Sequence, residues 1–520
     1  MGEERLTDRA EYLVLTAAEQ RAIDEQAGDA GVPRDALMES AGTSAASWLL
    51  DRFGSRRTVV LIGPGGNGGD GLVLARVLHR AGADVEAFIV PLPDRLSPLT
   101  RLMYERFTDA GGRARSLEDD LGPLDEVLKR ADRVVDALFG TGINRPLGGL
   151  YRRIVDEVNS ADASVVSLDL PSGLPSDRGA LLGEAIRAEV TLAMEFLKPA
   201  HLLFPASSYC GDVAVIPISY PPSLIEKLDP FARVLTGLGA RRLLPERRPN
   251  GHKGTFGRLL IAAGSVGMSG AAILSCRGAL RAGAGLVYLA TPESLLPIVE
   301  TALPEAVTVP LPERDGRIAG APTDRFTDAF ERANAIAVGP GLARADDLRK
   351  FLAFLFSSHP GPFVVDADAI GLLSPVLFRQ LRGRAVLTPH PGELSGLIGR
   401  PPAEIDRDRV EVARSFAEEN EVVLVLKGRP TVVAIPGGGL YLNPTGNTGL
   451  ATGGSGDVLT GLIGGFLAGG APIGDAALLG VYLHGLAAEI YARDRSERSL
   501  IPSDLIEVLP RAIEEVERWT

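Results

Sequence analysis

The chain has 520 residues, enough for two or three domains at the ~100–200 residues usual for one. Hydrophobic residues make up 45% and charged residues 23%, a balance that excludes disordered, collagen-like and coiled-coil classes. A net charge of −12 provides no global positive field for nucleic acid or anionic lipid, so neither is an expected partner.

An anionic ligand must therefore be held locally, by backbone N–H groups, helix N-termini or a bound cation. Cys210 and Cys276 are the only cysteines, far apart and without a CxxC, which argues against a disulfide scaffold or thiolate zinc site and for a reducing compartment. The first ten residues carry mixed charge, and no run approaches the ~18 uninterrupted apolar residues of a membrane span. The cytoplasm is the expected location, small molecules the expected partners, and a homo-oligomer the expected assembly.

The first strand is expected at Thr58–Ile62, followed by a Gly-rich turn and a helical pattern over residues 72–78. Further buried strands are expected at 85–90, 133–139, 164–170 and 213–218, which makes residues 1–225 one parallel-sheet domain. Residues 223–250 are short of sheet signals and end in the charged cluster Glu246-Arg247-Arg248-Pro249, which reads as a linker with a small helix and a boundary near 230. Alternation then restarts at Arg258–Ala262 and recurs at Ala335–Val338, Phe363–Val365, Ala385–Leu387, 422–426 and 431–435. Residues 232–520 thus form a larger α/β domain, without sequence similarity to the first.

In the first domain Gly63-Pro64-Gly65-Gly66-Asn67-Gly68-Gly69-Asp70-Gly71 leaves a strand and opens a helix, and Gly63, Gly65 and Gly68 satisfy GxGxxG. A dinucleotide fold for hydride transfer would add an acid near the end of the second strand. Here Asp84 and Glu86 sit at its start, and its end reads Phe88-Ile89-Val90-Pro91, so that reading loses ground. Two later strands run into Asp136-Ala137-Leu138-Phe139-Gly140-Thr141-Gly142 and Asp169-Leu170-Pro171-Ser172-Gly173. Because ligands bind at the carboxyl ends of parallel strands, Asp70, Asp136 and Asp169 are expected around one pocket. Clustered carboxylates require a cation or an acid/base arrangement, with Asn67 and Ser172 as neutral oxygen donors. The alternative is that each aspartate caps its following helix or turn.

In the second domain Val458, Leu459, Leu462, Ile463, Phe466 and Leu467 recur at helical spacing, placing Gly454-Ser455-Gly456-Asp457 at a helix N-terminus. Backbone N–H groups there suit a phosphoryl group, and an aspartate beside bound phosphate is best explained as the base for an attacking hydroxyl. A plain helix cap is the alternative for Asp457.

These residues carry a resemblance. The first half resembles the NAD(P)H-hydrate epimerase family and the second the ADP-dependent NAD(P)H-hydrate dehydratase family. Gly454–Asp457 is similar to the active-site motif of the ribokinase-like superfamily. The narrower match rests on His252-Lys253-Gly254-Thr255-Phe256-Gly257, Gly339-Pro340-Gly341-Leu342, Asp366-Ala367-Asp368-Ala369, Thr388-Pro389-His390-Pro391-Gly392-Glu393 and Leu426-Lys427-Gly428-Arg429-Pro430-Thr431. The resemblance implies a Rossmann-like domain followed by a larger ribokinase-like domain. It further implies potassium held by Asn67, Asp136 and Ser172. Hydrated NAD(P)H would be contacted by Gly66, Asn67, Gly68, Gly69 and Asp70, by Gly140, Thr141, Gly142, Ile143, Asn144, Arg145 and Pro146, and by Asp169, which is also the candidate catalytic group of this half.

For the second half the resemblance implies substrate binding by Ala271, Gly341, His390 and Asp457, with Asp457 as base. The co-substrate ADP, accompanied by magnesium, would be held by Lys427, Gly428, Arg429, Pro430, Thr431 and Gly456. Two departures are visible: Gly66 stands where the family loop has asparagine, and Gly371 where asparagine is frequent. The implied activity is repair of hydrated NADH and NADPH, by epimerisation in the first half and ADP-dependent dehydration of the S form, releasing AMP and phosphate, in the second. Alternatives are a ribokinase-like vitamin or sugar kinase fused to a ligand-binding domain, or a first half that only senses potassium and nucleotide. His79, His201, His359 and His484 show no ligand spacing and receive no role.

Overall fold

Val59 and Leu61 face one side of the strand Thr58–Ile62 and Val60 and Ile62 the other, and all four are fully buried. A strand apolar on both faces needs cover on both. Helices Arg34–Phe53, Gly66–Arg80 and Pro98–Asp109 supply one layer, and Gly122–Leu128 and Gly149–Ser160 the other. The computed structural model describes residues 9–90, 93–320 and 322–519, so Met1–Asp8 and Pro91 lie outside it. The residues group into two units, one spanning Tyr12–Ala232 and one made of Arg9–Glu11 and Arg233–Thr520.

The sheet of the first unit has seven strands in the order Ala114–Ser116, Val85–Ile89, Thr58–Ile62, Arg133–Ala137, Ser164–Leu168, Val190–Met194, Asp212–Ile216. Every pairing is parallel. The order reverses direction between Thr58–Ile62 and Arg133–Ala137, and such a switch opens a crevice at the strands' carboxyl ends. Two expected strands stop short. Residues 138–139 and 169–170 leave the ladder, and Asp169 does so at φ 60, with Leu170 N–H donating to Leu168 O at 2.7 Å. Val190–Met194 and the short edge strand Ala114–Ser116 were not anticipated.

In the second unit the order is Glu11–Val14, Ala232–Leu235, Gly439–Leu442, Val432–Ile435, Val423–Leu426, Ala385–Leu387, Phe363–Val365, Ala335–Val338, Arg258–Ala262, Leu286–Pro292, Val307–Leu311, an 11-stranded sheet. Val432–Ile435 runs antiparallel to both its neighbours, Val423–Leu426 and Gly439–Leu442, whereas the pairings from Val423–Leu426 through to Val307–Leu311 are parallel. The stretch read as a linker with a small helix is corrected in one respect: Gly237–Leu243 is a helix, but Ala232–Leu235 before it is a strand, lying between Gly439–Leu442 and the edge strand Glu11–Val14. At that edge the Glu11 carboxylate lies 3.1 Å from Arg233 and accepts the Tyr441 hydroxyl at 2.8 Å.

Helix Ile473–Asp494 is long and apolar enough to cross a membrane, yet 78% of its apolar window is buried inside the protein. It packs against Ser455–Ala468 and Pro502–Glu517, and a helix apolar all round is what a core position requires.

Candidate active sites

Close packing at the switch point shapes the first site. A Cβ on Gly63 would stand 1.7 Å from Leu138 O, and one on Gly68 would stand 2.0 Å from Gly63 O, so only glycine lets the turn fold onto the next strand. The segment Gly66, Asn67, Gly68, Gly69, Asp70 is the first turn of helix Gly66–Arg80 rather than a loop, with Gly65 as a cap that offers no side chain. Its early N–H groups are left for a ligand.

A cavity of about 1590 Å³ opens there, lined by Gly66, Asn67, Asp70, Gly140, Thr141, Gly142, Ile143, Asn144, Arg145, Pro146 and Asp169. Gly68 and Gly69 are buried behind it. Asp136 is also absent from the wall, which corrects the expectation of three carboxylates around one pocket. It is 0% exposed, and its oxygens accept from Leu138 N–H at 3.2 Å, Ser172 hydroxyl at 2.6 Å, Ser167 hydroxyl at 2.9 Å and Ser172 N–H at 2.8 Å. Asp136 thus ties two strand ends together. Burial nevertheless outweighs those bonds and raises its pKa.

Asn67 is buried with neither side-chain polar atom partnered. An amide left that way is costly unless a ligand or ion completes it. Among the described residues no group of three or more His, Cys, Asp or Glu side chains is arranged to hold a metal ion, so a cation here would rest on one carboxylate and neutral oxygens.

Asp70 and Asp169 both line the cavity but differ in surroundings. Recession from water, then the charges of Asp169 and Asp24, push the Asp70 pKa well above the ordinary carboxylate value. Asp169 instead has a cation: Lys198 Nζ lies 3.0 Å from its Oδ1. Sequence reasoning missed Lys198 and His201. A lysine directly after a buried apolar run was the available signal. Also missed was the wall cluster in which Gln20 donates to Tyr220 hydroxyl at 2.7 Å and Tyr220 donates to Asp24.

The second site is built on helix Ser455–Ala468, which starts after Gly454 at φ 98 without a side-chain cap. The Ser455 hydroxyl donates instead to Leu450 O at 2.8 Å. Ala271, Gly341, His390 and Asp457 all line one cavity of about 720 Å³. His390 has a second task that its motif did not reveal. Its Nδ1 accepts from Gly392 N–H at 3.0 Å, and its own N–H donates to Glu393 at 2.8 Å, so it caps helix Pro391–Ile398.

Lys427, Gly428, Arg429, Pro430 and Thr431 lie outside that lining. Gly456 is also outside it, between the lining residues Gly454 and Asp457, and an added Cβ on Gly456 would stand 3.4 Å from Lys427 Nζ. The buried Arg409, also missed, anchors this segment by donating to Lys427 O at 3.2 Å and to Pro430 O. Burial works against the Lys427 charge, but Asp366 and Glu393 prevail and raise its pKa. Burial first, then Asp366, lift the Asp457 pKa to about 7, with Lys427 opposing. A carboxylate poised near neutrality at an uncapped helix start can exchange a proton beside a phosphoryl group. His484, given no role from sequence, donates from Nε2 to Ser455 O at 2.9 Å beneath the same turn. Gly371 faces Arg344, whose guanidinium would stand 2.6 Å from an added Cβ.

Comparison with known proteins agrees with this division. The family described as YjeF-related protein N-terminus matches residues 34–200, and the NAD(P)H-hydrate dehydratase family matches 259–511. The bifunctional NAD(P)H-hydrate repair enzyme Nnr of Moorella thermoacetica is 39% identical over 517 residues, covering 97% of both chains. The chain belongs to the bifunctional NAD(P)H-hydrate repair enzymes. Another member of the family, from Thermofilum pendens, is 38% identical across 96% of both chains. As such a repair enzyme, the protein is an NAD(P)H-hydrate epimerase and dehydratase, and a kinase fused to a sensor is not favoured. Similar solved structures include the Bacillus subtilis ADP/ATP-dependent NAD(P)H-hydrate dehydratase co-crystallised with ATP/Mg2+. That enzyme is 35% identical and covers 54% of this chain and 98% of its own, at a TM-score of 0.46.

Proposed function

We propose that the two cavities divide the repair between them, with Asp70 and Asp169 serving epimerisation in residues 1–225 and Asp457 serving ADP-dependent dehydration in residues 232–520. Inverting the carbon that carries the added hydroxyl requires that hydroxyl to leave and return on the other face. Asp70, whose hold on a proton is strengthened by burial and by Asp169, gives a proton to the departing hydroxide, and Asp169, beside Lys198, accepts one from the water that adds back. Proton exchange with solvent resets the pair. Gly66–Asp70 and residues 140–146 border the same space and would hold the nucleotide body.

The orphaned Asn67 amide and the buried Asp136, whose four hydrogen bonds bring it no cation, fit a potassium ion completed by Ser172. Such an ion supplies fixed positive charge at the strand ends. Asp136 itself orients Ser172 and Ser167 through the bonds described above.

In the second unit Asp457 takes the proton of the substrate hydroxyl as that oxygen attacks the β-phosphorus of ADP, so AMP leaves. Loss of phosphate from the phosphorylated carbon, with a proton passing from the adjacent ring carbon to the departing phosphate or to solvent, then restores the ring double bond. N–H groups at Gly454, Ser455 and Gly456 offset the transferring charge, and Lys427, on the Gly428–Thr431 segment, faces the phosphates. Magnesium accompanies the nucleotide and neutralises part of its charge. The observation that carries the reading is the convergence of Ala271, Gly341, His390 and Asp457 on one cavity at an uncapped helix start. The acidic net charge and the buried apolar helix support a cytoplasmic enzyme of small molecules, without nucleic-acid or membrane partners.

The test is to incubate the protein with hydrated NADH and ADP while following NADH absorbance and AMP. Recovery of both epimers, with AMP formed in step with NADH, is the expected result. Stable accumulation of a phosphorylated product would overturn it. Segments 1–225 and 232–520, made separately, are expected to retain epimerisation and dehydration respectively.

A further inference from the structure

The Lys198 side chain is almost wholly enclosed beside the first cavity, 1% exposed against 14% for its partner Asp169. Its ammonium donates to Asp169 Oδ1 at 3.0 Å and to Phe196 O at 3.0 Å. Its backbone N–H donates to His201 Nδ1 at 3.0 Å, and His201 Nε2 donates to Asp169 O at 2.7 Å. One short segment therefore grips Asp169 at both its side chain and its carbonyl. Neither Lys198 nor His201 lines the cavity, so neither reaches substrate.

Among the described residues the grip gives the other carboxylate oxygen no hydrogen bond. Asp169 Oδ2 points toward Gly140, 2.8 Å from where a Cβ on that glycine would stand, and both residues face the cavity. The aspartate is also held at φ 60, a strained setting for a residue with a side chain, which persists only when the surroundings over-determine it. An ammonium buried here is not explained by stability, because buried ion pairs are often matched or exceeded by apolar replacements.

We propose that Lys198 is a positioning residue for epimerisation, engaging Asp169 Oδ1 so that Oδ2 is the single oxygen presented to the substrate. This rests on the reading of Asp169 as the proton acceptor. A merely structural lysine would serve the strand end through Phe196 O instead. Glutamine at 198 retains a donor for Phe196 but removes the charge that fixes the carboxylate, which separates the two roles.

The test uses the full chain with Lys198→Gln, Asp169→Asn and the double variant, measuring epimerisation kcat and KM with hydrated NADH and, on the same samples, dehydration. For Lys198→Gln the expected result is a kcat lower by on the order of 10²-fold with KM held, since misplacing a reacting group costs about that much. Dehydration stays at the parent rate. The double variant is expected to be no slower than Asp169→Asn, because residues acting as a unit are not additive. Parent-like kcat in Lys198→Gln, or a further loss in the double variant relative to Asp169→Asn, would overturn the proposal. If Lys198→Gln loses its near-ultraviolet dichroism, the comparison of Asp169→Asn with the double variant, where no charged carboxylate is left unpaired, decides alone. Full activity in Asp169→Asn would instead reject the underlying role of Asp169.

Discussion

The Lys427 ammonium sits 3.1 Å from Asp366 Oδ1. The other Asp366 oxygen accepts the Thr460 hydroxyl at 2.8 Å, and Glu393 lies 3.6 Å from the same ammonium. Lysine, two carboxylates and the helix start at Gly456 therefore form one electrostatic unit, in which Asp457 is the member whose proton is loosely enough balanced to move.

The first prediction follows from the raised pKa of Asp457, about 7. The base form exists above that value, so dehydration is expected to fall as pH drops through 7 and to level off above it. Asp457→Asn removes the base, costing on the order of 10²–10⁴-fold and abolishing the acid limb. Because folding disfavours this carboxylate once it is ionised, stability contributed by the group declines as pH rises toward 7, and the asparagine variant is expected to be at least as stable there. AMP release and thermal unfolding across neutral pH check both points.

Gly66→Asn restores the side chain common in the family. Nothing lies within 4 Å of an added Cβ, and the position opens helix Gly66–Arg80. A non-glycine residue is expected to stabilise by about 0.4–1 kcal/mol through the unfolded chain. The new amide faces the cavity, so KM for epimerisation is expected to fall. A higher KM would show that the substrate does not approach this turn.

Asp136→Asn keeps the shape but turns one oxygen into a donor facing donors, a loss of about 1–3 kcal/mol. The removed charge is expected to weaken potassium activation of epimerisation while dehydration continues. Potassium titration of both activities separates them, and equal sensitivity in parent and variant would disprove the ion's place.

Arg409→Met withdraws the bonds to Lys427 O and Pro430 O without touching either cavity wall. Hydrogen bonds from charged groups are worth about 1.5–3 kcal/mol. KM for ADP is therefore expected to rise by about tenfold or more, with KM for hydrated NADH unchanged. Steady-state kinetics with each substrate varied is the check.

The parts legible in sequence were those written in local pattern. Strand Thr58–Ile62 and the helix after Gly454 show in periodicity, and the residues around Asp457 in a contiguous motif. Ala232–Leu235 was invisible because it is only four residues long and its neighbours, Glu11–Val14 and Gly439–Leu442, come from distant parts of the chain. Lys198 and Arg409 act on backbone or on another side chain, through contacts 29 and 21 residues away respectively, which no spacing rule encodes. Asp136 was placed correctly at a strand end, but its retreat behind the cavity depends on Ser167 and Ser172, which only the fold brings to it.

The edge contacts of Glu11 set a constraint on timing during synthesis. Glu11 is made before its partners Arg233 and Tyr441, the latter 430 positions downstream. Closing so large a loop is slow, and domains generally fold as units as they emerge. The Tyr441 contact therefore closes only after residue 441 has been made, so this edge of the sheet is completed later than the pairing of Glu11 with Arg233 alone would allow.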